Sequence, residues 1–271
     1  MPMTSSALTA AKQLLKPLVP RSWRQSFRMR KALATAEIEL PLVHLLCDPQ
    51  GLAVDVGANR GLYTWQLARG SRAVLAFEPF PDLADRLRQE FGPKVRVEAC
   101  ALSDREGEAV LAVPQHGGGD LPTRGTLESG VNTEFPRRTL TVPVRRLDNY
   151  DLRDVAFMKV HVEGHEYPVL RGAEQTIARS HPTLMVGSEE RHVPGARDRI
   201  RTFLEGLGYG GWFLDHGRLT PIAEFHVERH QRPELAKPPG QGGYTPDYVH
   251  NFFFVHPGRA QGLDRLRQAL G

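Results

Sequence analysis

Val54-Asp55-Val56-Gly57-Ala58-Asn59-Arg60-Gly61 is an apolar run that stops at a glycine-rich turn and gives way to the helical pattern of Leu62–Arg69. Such a loop at a helix amino terminus lets backbone N–H groups approach a ligand closely, with the positive end of the helix behind them. A dinucleotide fingerprint would require glycine at positions 57, 59 and 62, and here 59 and 62 are Asn and Leu, which weakens a nicotinamide reading. Asn59 tolerates a left-handed backbone, so the turn survives the substitution. The next apolar run ends in Ala76-Phe77-Glu78-Pro79, which places an acid at a strand carboxyl end, 23 residues beyond Asp55. A carboxylate there can accept both hydroxyls of a ribose.

Working outward, short β-branched runs alternate with helical stretches. The pattern predicts strands at Leu52–Val56, Ala73–Phe77 and Val95–Leu102, and helices at Leu62–Arg69 and Pro81–Phe91. A βαβαβ start implies a parallel sheet covered by helices, because parallel neighbours need a crossover connection. The middle reads as strands at Glu108–Val113 and Thr139–Leu147 around a Gly/Pro/Thr-rich loop, Pro114–Pro136. A strand at Val155–Val162, a helix at Glu166–Arg179, a strand at Thr183–Val186 and a helix at Ala196–Leu207 follow. Strands near Trp212–Leu214 and at Asn251–Val255 close the sheet around a second loop, Arg232–Pro246, and a last helix occupies residues 259–271.

The chain of 271 residues is long enough for a substantial core, and its 40 % apolar and 24 % charged residues are ordinary globular usage. No stretch approaches the ~18–20 apolar residues of a membrane span, so a soluble protein is expected. Cys47 and Cys100 lie far apart without CxxC spacing, which supports neither a disulfide framework nor a cysteine zinc site and points to the cytoplasm. The net charge of +4 rests mostly on arginines interspersed with acids, so no nucleic-acid partner is expected. Residues 1–50 read as a basic helical extension. From Lys12 to Lys31 it carries no acid and is interrupted by Pro17 and Pro20. One reading is weak contact with an anionic membrane surface; the other is a helix packed across the main domain, residues 51–258, with its arginines in water.

Several motifs in order resemble the FkbM-type methyltransferase family: Val54–Gly61, Ala76–Pro79, Ala101-Leu102-Ser103-Asp104 with Gly107, Leu147-Asp148, and Lys159–Glu166 followed by Val169-Leu170-Arg171-Gly172-Ala173. The resemblance runs from about Gly51 to Pro257. It implies an α/β fold of the Rossmann-like class I methyltransferase type, with a doubly wound, mostly parallel seven-stranded sheet. It also implies S-adenosyl-L-methionine as cofactor and O-methyl transfer to a hydroxyl of a sugar, lipid or secondary metabolite, so the partner is a small-molecule or glycan acceptor. By position, Asp55, Gly57, Asn59 and Gly61 would surround the methionine moiety, Glu78 the ribose, and Ser103 with Asp104 the adenine edge. A polar hairpin turn is the other reading of Ser103–Gly107.

The sequence departs from the family at two strand ends. His161 stands where the family has Asp, and Gly187 where a Glu usually follows the apolar run, while Glu163, Gly164, Glu166 and Glu189-Glu190-Arg191-His192 match. The expected catalytic group is therefore His161, Glu163 and Glu166, with His161 as base at an ordinary pKa of about 6.5. Glu166 in a first helical turn can equally serve the helix dipole, and Gly187 can mark a close backbone approach or enlarge the acceptor pocket. A metal site of His161, Glu163 and His165, and a binding-only relative that has lost its acids, are the competing readings; no metal is assigned. His116, His216, His226, His230 and His250 are expected in solvent-facing loops, with Tyr244 and His250 near the acceptor site.

Overall fold

The computed structural model describes residues 21–33, 37–235 and 247–271. The described chain begins with α1 (Arg21–Leu33) and a short 3-10 turn at Val43–Leu46. It then alternates β1 (Leu52–Val56), α2 (Leu62–Gly70), β2 (Ala73–Phe77), α3 (Pro81–Glu90) and β3 (Val95–Glu98). The middle holds β4 (Ala101–Leu102), β5 (Gly107–His116), β6 (Gly119–Asp120) and β7 (Arg137–Arg145). Alternation resumes through β8 (Val155–Val160), α4 (Glu166–Arg171), α5 (Glu174–Ser180), β9 (Thr183–Gly187) and α6 (Ala196–Gly206). The end comprises β10 (Gly210–Asp215), β11 (Arg218–Pro221), α7 (Val227–His230), β12 (Asn251–Val255) and α8 (Ala260–Leu270). Lys12–Pro20, Tyr244 and most of the Arg232–Pro246 loop lie outside the described residues.

The main sheet runs β11-β10-β12-β9-β8-β1-β2-β3, with β3, β2, β1, β8 and β9 mutually parallel. Strand order reverses between β1 and β8, which is the switch point where doubly wound sheets open a ligand crevice at the strand carboxyl ends. The sheet has eight strands, not the expected seven. The extra one is β11, joined to β10 by a two-residue turn, His216-Gly217, in which both residues have positive φ. That geometry suits the right-handed twist of a hairpin, and its first position is held by a histidine, an uncommon turn residue.

Two expected elements are split by competing contacts. Val95–Leu102 is not one strand: Val95–Glu98 pairs with β2, whereas Ala101–Leu102 crosses to β7 in a separate sheet of order β4-β7-β5-β6. The helix expected over Glu166–Arg179 breaks at Gly172, where a Cβ would stand 1.9 Å from the Ser103 carbonyl oxygen. The Pro114–Pro136 segment is also not open loop. It holds β6 and a 3-10 turn at Pro122–Arg124, and Thr126 pairs back with Ala112.

Period-two alternation in the central strands feeds two cores. Met158, Phe252 and Phe254 face one side with Ile177 and Leu204, while Phe157 and Phe253 face the other with Leu67 and Leu266. The second face is also covered by Leu40, Val43, Leu46 and Cys47 from the amino-terminal segment, all nearly fully buried. In α1, Met29 is buried and Phe27 is exposed. Among the described residues no helix is long and apolar enough to cross a membrane.

Candidate active site

A cavity opens at the switch point, at the carboxyl ends of the parallel strands. Its floor is Val56, Gly57 and Asn59 at the end of β1, and one wall is Phe77, Glu78 and Pro79 at the end of β2. His161, Val162, Glu163 and His165, beyond β8, also line it, and the segment Pro122–Leu127 forms another part of the wall.

The glycine turn is built for close approach. Gly57 has φ +76, and a Cβ there would lie 2.2 Å from the His161 carbonyl oxygen, so no larger residue fits. Asn59 is left-handed at φ +52, as its sequence position predicts, and its N–H donates to Glu78 Oε2 at 2.7 Å. The Phe80 N–H donates to the other oxygen at 2.9 Å. A carboxylate offers about four acceptor sites, so two remain for a ligand's hydroxyls. Burial pushes Glu78 up to about 7, against the amides of Phe80 and Asn59 and the charge of Lys159.

Asp55 and Gly61 belong to the scaffold beneath this turn. Asp55 is fully buried, accepts from the Thr64 hydroxyl at 2.6 Å and lies 3.4 Å from the Lys159 ammonium, which donates to the Gly57 carbonyl at 2.8 Å. Gly61, at φ +78, lets Leu87 and Phe91 pack against the helix start. Neither residue lines the cavity. Ser103 and Asp104 are also outside it: Asp104 is exposed, and the Ser103 hydroxyl meets Asp104 Oδ1 and His165 Nε2. The wall at that point is Cys100, Ala101 and Leu102.

Beyond β8 the chain makes a strained turn, with Glu163 at φ +53 and Gly164 at φ +100. The Glu166 carboxylate holds this turn by accepting from the N–H groups of Val162 and Gly164. The Thr126 hydroxyl donates to the Glu163 carbonyl at 2.7 Å and ties the Pro122–Leu127 wall down. His165 is committed elsewhere, to Glu128 at 2.6 Å and Ser103 at 2.9 Å, which breaks up the trio of His161, Glu163 and His165 considered as metal ligands.

His161 occupies the room left by Gly187. A Cβ at 187 would stand 2.7 Å from its Cγ, so that space belongs to the imidazole and does not enlarge the pocket. Burial, with His250 and Lys159 nearby, lowers His161 to about 3. It is therefore neutral at physiological pH, but a far weaker base than the ordinary value assumed from sequence. Glu163 Oε1 lies 4.0 Å from His161 Nε2, and burial beside Glu189 and Glu166 raises the Glu163 carboxyl.

Residues that the sequence placed only loosely, or not at all, complete the surroundings. His250 is 2 % exposed, not solvent-facing, and its ring centroid is 5.4 Å from that of His161. Its Nε2 lies 3.4 Å from Glu37 Oε1, and although burial opposes it, Glu37 with Glu189 and Glu39 raises His250 to about 9. His230 is equally buried. Beyond β9, Glu189 Oε2 accepts from Tyr248 at 2.7 Å and Arg191 at 2.6 Å. Glu37, a partly buried carboxylate brought in from the amino-terminal segment, had no local signal, because its partners are Tyr63 on the next helix and Asn251 and His250 more than two hundred residues away.

A doubly wound sheet with a glycine cradle and an acid on the neighbouring strand end defines a Rossmann-like α/β domain with its ligand crevice at the switch point. The family description "Methyltransferase FkbM domain" matches residues 55–210, more than half of the chain, and the protein belongs to that family. Among solved structures, the chain is similar to a methyltransferase FkbM from Methylobacillus flagellatus KT, at 15% identity over 84% of this chain and 50% of that one, with a TM-score of 0.46. It thus spans about half the length of that protein. A TehB-like SAM-dependent methyltransferase from Corynebacterium glutamicum matches at 15% identity over 86% and 95% of the two chains, TM-score 0.40. A precorrin-6y C5,15-methyltransferase from Geobacter metallireducens matches at 11% identity over 79% and 85%, TM-score 0.39. No curated protein sequence matches the chain.

Proposed function

We propose that the protein is an S-adenosyl-L-methionine-dependent O-methyltransferase acting on a hydroxyl of a small-molecule or glycan acceptor, such as a sugar, lipid or secondary metabolite. The observation that carries this reading is the placement of Glu78, with acceptor capacity to spare, in one cavity with a neutral His161 and with Glu163. When bound, the cofactor supplies an electrophilic methyl on a sulfonium. Gly57 and Asn59 present the backbone against which it lies, Glu78 accepts the ribose hydroxyls, and Lys159 fixes the turn from below.

His161 accepts a hydrogen bond from the acceptor hydroxyl and orients it. Its low basicity shifts the weight of catalysis to alignment, which can supply about 7–11 kcal/mol, against about 10²- to 10⁴-fold from a general base. His161→Ala is therefore expected to lower turnover by about tenfold to a hundredfold while leaving cofactor affinity intact. An unchanged rate would remove its role.

Calorimetric titration with S-adenosylhomocysteine tests the cofactor assignment without an acceptor. Micromolar binding, about −8 kcal/mol, is expected. Glu78→Gln should weaken it by about 1.5–3 kcal/mol, the worth of a hydrogen bond to a charged group. Protonation costs Glu78 an acceptor, so affinity should climb as pH rises through about 7 and then level, and the glutamine variant should lose that dependence. A flat wild-type profile would sink the ribose assignment. Binding without turnover of any hydroxylated acceptor would favour a binding-only relative.

A further inference from the structure

Three side chains beside the cavity converge without bonding to one another. Glu163 follows β8, Glu189 follows the neighbouring parallel strand β9, and His192 sits in the turn beyond it. One ligand atom from each lies within 4.8 Å of the others. His192 Nε2 is 3.6 Å from Glu163 Oε2, and His192 Nδ1 is 3.9 Å from Glu189 Oε1, both too long for hydrogen bonds. The His192 side chain is only 6 % exposed, yet among the described residues its Nε2 has no hydrogen-bond partner. A buried, unpaired imidazole nitrogen aimed at a carboxylate is costly unless something fills the gap.

We propose that Glu163, Glu189 and His192 form a binding site for a divalent first-row transition cation. Ligand atoms about 2.1 Å from a shared ion lie about 3.0–3.4 Å apart at cis-octahedral or tetrahedral angles, so a spacing within 4.8 Å closes on an ion with side-chain shifts of about an ångström. One imidazole and two carboxylates suit Mn²⁺, Fe²⁺ or Zn²⁺ better than the all-oxygen sites of Mg²⁺ or Ca²⁺. Tyr248 and Arg191 both bond Glu189 Oε2, and Oε1 is the oxygen nearest His192, which is how outer groups orient a ligating carboxylate. Glu163 also lines the cavity, so the ion would border the space where an acceptor hydroxyl enters. There it would polarise that oxygen. This last purpose rests on the methyl-transfer reading, while the cation site does not.

The test is titration of the metal-stripped full chain with Mn²⁺, followed by loss of the free-ion electron paramagnetic resonance signal. Saturation at one ion per chain is expected, with affinity reduced at least about tenfold in His192→Ala and in Glu189→Gln. The unfolding midpoint should rise with Mn²⁺ in wild type and not in the variants, which also reports whether they fold. Absence of saturable binding to wild type would overturn the proposal, as would equal affinity in a folded His192→Ala. Mg²⁺ displacing Mn²⁺ at equal concentration would overturn the choice of cation class. S-adenosylhomocysteine titrated in parallel separates the two readings: retained binding with no cation site would leave the methyltransferase proposal standing, and the converse would leave only the cation site.

Discussion

At the residue scale, positions 161 and 187 are one decision made twice. An imidazole at 161 and any Cβ at 187 compete for the same space, with only 2.7–2.8 Å between a Cβ at 187 and His161 Cγ or Cδ2. Adding that methyl group overpacks a rigid strand end, at a cost of about 1–3 kcal/mol. Gly187→Ala should therefore be destabilised in urea denaturation while keeping its slope, whereas in a His161→Ala background the same change should cost markedly less. A double-mutant cycle reads the difference as a coupling energy. Additivity within about 0.5 kcal/mol would mean that the two sites ignore each other. The sequence showed both departures from the family pattern but not their link, since nothing in spacing says that neighbouring parallel strands present residues 161 and 187 face to face.

At the element scale, the amino-terminal segment reaches the edge beside the cavity as well as covering the sheet. Glu37 accepts from the Tyr63 hydroxyl on α2 and the Asn251 amide on β12, and faces His250. Glu37 is partly buried and its removal takes a partner from the buried His250 and Asn251, so Glu37→Ala should cost about 1–3 kcal/mol in urea denaturation. The exposed Arg28–Glu90 pair between α1 and α3 makes the contrast, because Arg28→Ala should cost only about 0–1 kcal/mol. Equal losses in the two variants would mean that Glu37 contributes no more than an exposed ion pair does. The central strands, β1, β2 and β12, were legible to the residue, because unbroken apolar runs bounded by turn residues leave little choice. The failures at Val95–Leu102 and Glu166–Arg179 have one physical origin. Each apolar run serves two partners, and the break falls where another backbone comes too close, as Ser103 does at Gly172.

At the scale of the whole molecule, function gathers at the carboxyl edge of the parallel strands, where the left-handed Asn59 and Glu163 sit on strand-end turns. In the proposed reading this edge has a cofactor half and an acceptor half, and the residues that line the cavity in the first, Gly57, Asn59 and Glu78, were readable as local signals on consecutive strands. The acceptor half was not, because it is assembled from β8, β9, the Thr126 segment and the chain around His250, which meet only in three dimensions. A ligand seated on such an edge should order it as a unit. Hydrogen exchange with saturating S-adenosylhomocysteine is therefore expected to slow at residues 57–61, 78–80, 122–127 and 161–164, and to stay unchanged in the β10–β11 hairpin at the far edge of the sheet. Protection confined to 57–61 and 78–80 would separate Pro122–Leu127 from the ligand site despite the Thr126 bond to Glu163. Protection that spread evenly through β10 and β11 would instead mean that binding stabilises the fold globally, and the cavity at the switch point would lose its claim to be where the ligand acts.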